Sequence, residues 1–263
     1  MIDLRQAVGV RDLVFITLDC LRFDVAAEAL AAGETPVLAA RVGAWERRHT
    51  PATFTFAAHQ AFFAGFLPTP AVPGRHQRLM ACRFAGSESV GSGTWVCDAP
   101  DIVHGLAEAG YHPVCIGGTG FFNRRNALGS VLPGLFAESH WSPRLGVTDP
   151  RSHLHQTDLA RRIVAAQPAD RRLFLFINIA ALHRPNHLLT PGADRDSAAT
   201  MRTALAAVDA ALDPLFADCD QRGPWCGIIC SDHGEAYGED GWHGHRLAHP
   251  TVWDVPYGEF LAP

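Results

Sequence analysis

The sequence predicts an α/β fold with a mostly parallel central sheet flanked by helices. Apolar runs of strand length recur at 13–18, 114–117, 173–179 and 227–230, and stretches with helical spacing separate them. The run from Leu13 to Leu18 is apolar on both faces, which is expected of a central strand covered by helices on both sides. Apolar strands that alternate with helices along a chain are typical of α/β domains.

The remaining elements are predicted from the spacing of apolar residues and from the positions of glycine and proline. Gly65 ends a helix predicted from Phe56 to Phe63. Two irregular stretches, 68–98 and 129–153, are expected to shape a substrate pocket. No internal repeat or linker divides the chain, so residues 1–263 are predicted to form one domain. Helices are also predicted at 36–47, 98–110, 157–166 and 197–218, with an edge strand at 252–261.

Composition excludes several classes of protein. Hydrophobic residues make up 48% of the chain, enough for a substantial core, and the net charge of -5 leaves no basic field for general nucleic-acid binding. No apolar run is long enough to cross a membrane, and the N-terminus has no apolar signal segment. The seven cysteines are scattered without a C-x-x-C pair, which predicts a reduced, cytoplasmic protein.

The strongest motif follows the last apolar strand. The run Ser231-Asp232-His233-Gly234-Glu235 places a carboxylate and an imidazole at the carboxyl edge of the sheet, where α/β proteins form their sites. An oxygen ligand beside a nitrogen ligand suits Zn²⁺ or Mn²⁺. The alternative is a turn in which Asp232 caps the next segment and the histidines lie on a solvated loop.

Other reactive side chains occupy comparable positions. Asp19 follows the first strand, Thr55 precedes a helix, and His183 follows the strand at 173–179. Right-handed crossovers bring the ends of parallel strands to one edge of the sheet. The predicted chemistry is a metal-assisted displacement at phosphorus or sulfur, with a hydroxyl bound to a divalent cation as the nucleophile.

These runs resemble motifs of the alkaline phosphatase and sulfatase superfamily, in particular the small bacterial sulfatase-like hydrolases. The run from Val14 to Asp24 resembles the opening strand, whose terminal Asp binds metal. The runs 231–235 and 243–245 resemble the closing metal motif, Val255-Pro256 resembles the pair that follows it, and His183-Arg184-Pro185 resembles a His-x-Pro loop that touches the substrate. The resemblance implies an alkaline-phosphatase-like fold. Members of the superfamily often run longer and carry a C-terminal subdomain, whereas this chain stops a few residues after Val255-Pro256, so a compact form without a large C-terminal subdomain is expected.

The resemblance also indicates the nucleophile. Sulfatases of this superfamily carry a Cys or Ser in a C/S-x-P-x-R run, with a Thr-Gly pair whose Gly lies ten residues later. Here Ala64-Gly65 takes the place of that pair, and counting back reaches Thr55, which has no Pro or Arg after it. An unmodified Thr is what the phosphatases, phosphodiesterases and phosphoglycerol or phosphoethanolamine transferases of the superfamily use. Thr55 is therefore implied to be nucleophile and metal ligand, with Thr53 as its rival; either could instead be a helix N-cap.

The resemblance implies roles for the other residues. The metal would be held by Asp19, Thr55, Asp232 and His233. His183 and either His243 or His245 would bind the transferred oxygens or protonate the leaving group. A second metal site remains an open alternative, and its ligands would be His183, His187 and His243 or His245. Cys20 is either a soft ligand or a packed thiol.

Two residues are predicted to bind substrate. His59 stands at the position of the sulfatase Arg, although a role on the helix surface is an alternative. Arg124 follows Gly117-Gly118-Thr119-Gly120, which is either an anion cradle or a tight loop after a strand. Arg22 and Asp24 are expected to form a structural pair near the site.

The sequence thus predicts a metal-dependent hydrolase or transferase of phosphate mono- or diesters that works through a covalent Thr55 intermediate. Its cofactor would be one or two Zn or Mn ions. Its partner would be a small-molecule phosphate or sulfate ester, with no nucleic acid and no membrane. Two rivals remain: a sulfatase, and a catalytically inactive member that acts as a partner in a biosynthetic complex.

Overall fold

The computed structural model describes residues 1–65, 69–70, 73–74, 78–82 and 91–263. The strands are β1 (Asp12–Leu18), β2 (Glu46–His49), β3 (Thr69–Pro70), β4 (Met80–Cys82), β5 (Trp95–Cys97), β6 (Tyr111–Ile116), β7 (Glu138–His140), β8 (Arg172–Ile179), β9 (Trp225–Cys230), β10 (Ala236–Tyr237), β11 (His243–Gly244) and β12 (Asp254–Ala262). The α-helices are α1 (Phe23–Ala31), α2 (Pro36–Val42), α3 (Thr55–Phe63), α4 (Ile102–Glu108), α5 (Leu128–Val131), α6 (Ser152–Ala166), α7 (Ala198–Arg222) and α8 (Pro250–Trp253).

One large sheet carries the fold. Across the described ranges its strand order is β3-β2-β12-β9-β1-β8-β6-β7. The strands from β9 to β7 run parallel to one another, whereas β12, β2 and β3 are antiparallel to their neighbours. The predicted α/β class with a mostly parallel sheet is therefore confirmed. Strands β10 and β11 form a separate hairpin, and β4 pairs with β5.

The central strand β1 packs against helices on both sides. Val14, Ile16 and Leu18 belong to the core beneath α1, α2, α6 and α7. Leu13 and Phe15 alternate with them and join the core beneath α3 and α4. Successive side chains of a strand point to opposite faces, so a strand buried on both sides must be apolar throughout. The sheet therefore lies between two helical layers.

Two predicted elements near the antiparallel edge are wrong. The helix expected at 36–47 ends at Val42, because Gly43 takes a φ of +69°, and the charged run that follows forms β2. Arg48 in that strand is buried, with its guanidinium 3.6 Å from the centre of the Tyr257 ring. The expected edge strand β12 instead lies inside the sheet, between β9 and β2.

The two irregular stretches differ in character. In the first, 68–98, the residues at 68, 71–72, 75–77 and 83–90 lie outside those that the structure describes, and the described parts include β3, β4 and β5. The second contains β7, which pairs with β6, and Phe136, which stacks on Phe174 and Phe176. Much of the stretch 129–153 therefore completes the sheet edge and the core.

The glycine-rich loop after β6 packs closely against β8. A Cβ added at Gly118 would lie 2.4 Å from the carbonyl oxygen of Asn178. The Gly118 N–H donates to Asn178 Oδ1 at 3.3 Å. This favours the tight loop over the anion cradle, because the loop's glycine and N–H are engaged by the neighbouring strand.

Candidate active site

The ends of the two central strands and the start of one helix converge at a single point. Asp19 follows β1, Asp232 and His233 follow the adjacent strand β9, and Thr55 is the first residue of α3. All four are buried. The ligand atoms of Asp19, Asp232 and His233 lie within 4.8 Å of one another. The structure therefore brings together the principal set of residues that the sequence singled out.

Thr55 presents its hydroxyl at the N-terminus of α3. The chain enters the helix through Phe54 in an extended conformation. Thr55 Oγ1 then lies 3.4 Å from Asp19 Oδ2 and 3.3 Å from His233 Nε2. The positive end of the helix dipole favours negative charge on this oxygen. Thr53 contacts the region through its carbonyl oxygen, which accepts the Arg246 N–H, and no described contact joins its hydroxyl to the cluster.

The two carboxylates of the cluster are in different electrostatic states. Burial alone raises the pKa of Asp19, but the charges of His183 and His233 and the hydrogen bond from Asn178 outweigh it and lower that pKa. Burial and the charge of Asp19 raise the pKa of Asp232 well above its usual value. Among the described residues no group hydrogen-bonds to Asp232 Oδ2, although this atom is buried.

The donor atoms have the spacing of ligands to one cation. Two ligands of a tetrahedral ion at ~2.0–2.1 Å from the metal lie ~3.3–3.5 Å apart. The contacts of Thr55 Oγ1 have these lengths, and His233 Nε2 lies 3.6 Å from Asp232 Oδ2. A cation here would satisfy Asp232 Oδ2 and offset the repulsion between the two carboxylates. The residues therefore fit the divalent ion that the resemblance implies.

Three imidazoles have their Nε2 atoms free to act as acceptors or ligands. The Nδ1–H of His233 donates to the carbonyl oxygen of Gly234 at 2.9 Å, and that of His183 donates to the carbonyl oxygen of Arg184 at 2.6 Å. The Nδ1–H of His245 donates to Glu235 Oε2 at 2.7 Å. A proton fixed on Nδ1 leaves the lone pair on Nε2. Burial lowers the pKa of His233 to about 4, so its ring is neutral near pH 7.

The sequence argument did not assign a role to Glu235. Its side chain is wholly buried, with one oxygen on His245 and the other 2.8 Å from Nε of the half-exposed Arg184. Among the described residues this second oxygen has no hydrogen-bond partner, so its contact with Arg184 is an ion pair. A carboxylate behind an imidazole fixes its orientation and raises its basicity. Its place in the Asp-His-Gly-Glu run is the signal that could have identified it.

Asn178 is a second supporting residue that sequence analysis missed. Its Nδ2 donates to Asp19 Oδ2 at 2.9 Å and to Thr17 Oγ1 at 3.2 Å. Gln156 fixes the adjacent backbone, because its Nε2 donates to the Asn178 carbonyl oxygen at 2.6 Å. A lone amide within the otherwise apolar strand β8 was the available signal.

Cys20 borders the same cluster. It is wholly buried and has a φ of +67°, and its backbone N–H donates to Asp232 Oδ1 at 3.2 Å. Burial, with the charges of Asp19 and Glu235 in addition, raises the pKa of its thiol well above the usual value. Without a cation Cys20 is therefore a protonated thiol and a poor nucleophile.

Arg22, two residues later, pairs with Asp24 as expected, with Nε 2.9 Å from Oδ1.

The substrate-binding role predicted for His59 is wrong. The side chain lies beneath the site, with Nδ1 on the Thr55 carbonyl oxygen at 2.7 Å and Nε2 on Thr17 Oγ1 at 3.0 Å. It has no exposed surface, and burial lowers its pKa to about 4. Position i+4 of a helix lies on the same face as position i, so His59 follows Thr55 toward the sheet. The imidazole ring packs against the rings of four phenylalanines: Phe62, Phe63, Phe122 and Phe176.

Three further predicted residues are not brought to the cluster. His187 pairs with Asp196 at 2.7 Å. His243 is exposed, because Gly244 at φ +90° turns the chain so that His245, and not His243, contacts His233. Arg124 is also exposed, and its guanidinium donates to the Pro133 carbonyl oxygen at 3.2 Å within its own loop. The described contacts of these residues give no support for a catalytic, metal or substrate role.

Comparisons with known proteins identify the fold. The chain is similar to the C-terminal periplasmic domain of phosphoethanolamine transferase EptC from Campylobacter jejuni, with a TM-score of 0.63, 13% identity, and coverage of 95% of this chain and 79% of that one. The corresponding Escherichia coli domain in complex with Zn gives a TM-score of 0.66 and 14% identity over 96% of this chain and 73% of that one. A Vibrio parahaemolyticus protein of the alkaline phosphatase superfamily gives a TM-score of 0.55 and 15% identity. That match covers 96% of this chain and 60% of the other.

The predicted cytoplasmic location is wrong by these comparisons. Both EptC domains to which the chain is similar are periplasmic domains. The location had been predicted from the unpaired cysteines. Six of the seven free thiols are buried in the fold, so their lack of disulfides reflects packing. Among the described residues, no helix combines the length and the apolar character needed to cross a membrane.

No protein-family model matches the chain, and no curated protein matches it either. The likeness to known proteins is therefore one of structure, and it agrees with the motifs at 14–24 and 231–245. The chain has the fold of the alkaline phosphatase and sulfatase superfamily.

Proposed function

We propose that this protein is a metal-dependent hydrolase or transferase of phosphate esters, with Thr55 as the nucleophile. The observation that carries the proposal is the position of Thr55 Oγ1, at a helix N-terminus and within 3.4 Å of both Asp19 and His233. Two of the similar structures are phosphoethanolamine transferases, one of them in complex with Zn. They support both a phosphate ester as substrate and zinc as the ion.

Asp19, Thr55, Asp232 and His233 would hold the cation. When bound, a divalent ion lowers the pKa of the Thr55 hydroxyl and offsets negative charge on the phosphoryl oxygens. Asn178 keeps Asp19 in place, and the backbone N–H groups of Cys20 and His233 hold Asp232 Oδ1. The chain's own hydrogen bonds thus orient both carboxylates before any substrate binds.

The covalent step uses the Thr55 oxygen. The Oγ1–H bond breaks and its proton passes to solvent, an Oγ1–phosphorus bond forms, and the bond from phosphorus to the leaving oxygen breaks. The leaving oxygen takes a proton that comes from solvent, and His245, held by Glu235 beside His233, is placed to pass it on through Nε2. In the second step the oxygen of water or of an acceptor alcohol attacks phosphorus and restores the Thr55 hydroxyl. Water gives hydrolysis, and an alcohol gives transfer.

His183 has two open roles in this scheme. Its ring is partly exposed at the edge of the cluster, 5.8 Å from that of His245 between centres. It either contacts the transferred oxygens or binds a second cation. The sulfatase alternative has no comparable support, since Thr55 stands where those enzymes carry the Cys or Ser of their C/S-x-P-x-R run.

The proposal is tested by metal content together with hydrolysis of p-nitrophenyl phosphate and bis(p-nitrophenyl) phosphate. We expect about one or two equivalents of Zn or Mn, and loss of activity in Thr55→Ala while most of the metal stays, because three other ligands remain. Thr53→Ala is the matched control from the same turn, and it should retain both metal and activity.

Two results would contradict the proposal. One is a protein that binds no Zn or Mn when these ions are supplied. The other is a Thr55→Ala variant that hydrolyses the esters as fast as the unaltered protein. A chain that binds metal but lacks ester turnover in every variant would favour the inactive partner protein.

A further inference from the structure

Cys20 is placed on the far side of Asp19 from Thr55. Asp19 Oδ2 faces Thr55 Oγ1 at 3.4 Å, whereas Oδ1 accepts from Cys20 Sγ at 3.3 Å. Each carboxylate oxygen therefore has its own donor atom beside it. A carboxylate in this position can hold one cation at each oxygen, as carboxylates do in two-metal sites.

Imidazoles surround the sulfur on two sides. The ligand atoms of Asp19, Cys20 and His183 lie within 4.8 Å of one another, and so do those of Cys20, His233 and His245. The Nδ1 atoms of all three histidines are engaged elsewhere, which leaves each Nε2 available. Thiolate, imidazole and carboxylate are the donor set of zinc sites. The buried Asp232 Oδ2, for which the described residues supply no hydrogen-bond partner, belongs to the adjacent Thr55 position and supports a cation there.

We propose that Cys20 is a thiolate ligand of a second cation position, formed with Asp19 Oδ1 and His183 Nε2 beside the Thr55 position. This inference rests on the metal centre proposed above and assigns the open role of His183. On binding, the S–H bond of Cys20 is replaced by a sulfur–metal bond, and one proton is released to solvent. Neither oxidant nor reductant is required.

The sulfur ligand determines which ion fills this position. Thiolates select zinc over manganese, whereas carboxylate and hydroxyl oxygens accept both. Zinc should therefore occupy both positions, and manganese only the position at Thr55. The separation of 3.3 Å between Cys20 Sγ and Asp19 Oδ1 is close to the ~3.5 Å expected for a sulfur and an oxygen on one tetrahedral zinc.

The experiment is zinc stoichiometry and zinc X-ray absorption on the full chain, in the unaltered protein and three variants. Cys20→Ser keeps the shape of the side chain, and Cys20→Gly suits the φ of +67° at this position. Cys115→Ser is the control, because Cys115 is equally buried but lies in β6, outside the ligand groups. We expect two zinc ions and a sulfur scatterer at about 2.3 Å in the unaltered protein and in Cys115→Ser. Both Cys20 variants should retain one zinc and lose the sulfur scatterer.

The outcomes separate this inference from the proposed function. Zinc bound without a sulfur scatterer, or a sulfur scatterer that survives in the Cys20 variants, would overturn the assignment of Cys20 and leave the Thr55 centre standing. A protein that binds manganese but no zinc would overturn the assignment of Cys20, and one that binds neither ion would overturn both. The unaltered protein is informative by itself, so the test does not depend on the folding of any variant.

Discussion

Replacing Asp232 by Asn should stabilise the metal-free protein and reduce the stabilising effect of zinc. In the metal-free state Asp232 Oδ2 is buried without a described hydrogen-bond partner, and Asp19 lies beside it as a second carboxylate. Oδ1 accepts the backbone N–H groups of Cys20 at 3.2 Å and His233 at 3.0 Å, so an amide would keep its oxygen there. Its Nδ2 would then face His233 Nε2, an acceptor 3.6 Å away.

The magnitude follows from the desolvation penalty. A buried polar group without a partner costs ~1–3 kcal/mol, so Asp232→Asn should raise the free energy of unfolding of the metal-free protein by about that amount. In a chain of this size, ~1 kcal/mol corresponds to ~2–4 °C in Tm, which gives a rise of about 2–12 °C. Zinc at 100 times its Kd for a site should stabilise the unaltered protein by about 2.7 kcal/mol for that site, and the variant by less at the same zinc concentration.

The pH dependence has a definite sign. The pKa of Asp232 is higher in the folded state than in the unfolded state, where it is about 4. Protonation of Asp232 therefore stabilises the metal-free fold fully below pH ~4. That contribution to the free energy of unfolding is lost as the pH rises through the folded-state pKa. The advantage of Asp232→Asn should therefore be small near pH 4 and grow toward neutral pH.

The assay is thermal unfolding after treatment with a chelator, with and without added zinc. Asp209→Asn is the matched control, because Asp209 is also buried but both its oxygens accept backbone N–H groups, from Val37 at 3.1 Å and Leu38 at 2.7 Å. It should lower Tm regardless of zinc. The reasoning is refuted if Asp232→Asn destabilises the metal-free protein as Asp209→Asn does, or if zinc stabilises the variant as much as the unaltered chain.

Three further predictions follow from other parts of the site. Thr55→Ser should retain ester hydrolysis, whereas Thr55→Ala should lose at least about a thousandfold in kcat, measured by steady-state kinetics; equal loss in both would contradict a hydroxyl nucleophile. Glu235→Gln should lower kcat for hydrolysis of an alkyl phosphate ester by about 10–100-fold in steady-state kinetics, because His245 loses its orienting carboxylate; an unchanged kcat would remove His245 from the proposed scheme. The depressed pKa of His59, about 4, means that acidification from pH 6.5 toward 4 destabilises the metal-free fold, so His59→Asn should flatten this part of the stability profile. An unchanged profile would show that His59 does not titrate in this range.

The sequence was sufficient to locate the residues that the structure brings together in the proposed metal centre. Asp19 and Asp232 stand where apolar strands stop, and parallel strands bring such ends together whatever the details of packing. Thr55 was reached by counting from Gly65, and its place as the first residue of α3 agrees with that count. These positions depend on topology, which periodicity reveals.

The orientation of individual side chains was harder to predict. His59 could have been assigned to the buried face, because it lies four residues after Thr55 on one helix. The choice between His243 and His245 depends on the turn at Gly244, whose φ of +90° no residue pattern specifies. The charged run of β2 is a strand because β12 pairs with it, which is a tertiary effect on a segment with weak local preference.

The most direct test of the account is to trap the covalent intermediate on Thr55. The zinc-loaded protein would be mixed with bis(p-nitrophenyl) phosphate, quenched with acid, digested and analysed by mass spectrometry of the peptide that contains Thr55. We predict a substituted phosphoryl group on Thr55 in the unaltered chain and none in Thr55→Ala. Two results would contradict the role of Thr55 as the nucleophile. One is turnover of the ester with the adduct on another residue, and the other is full activity in Thr55→Ala.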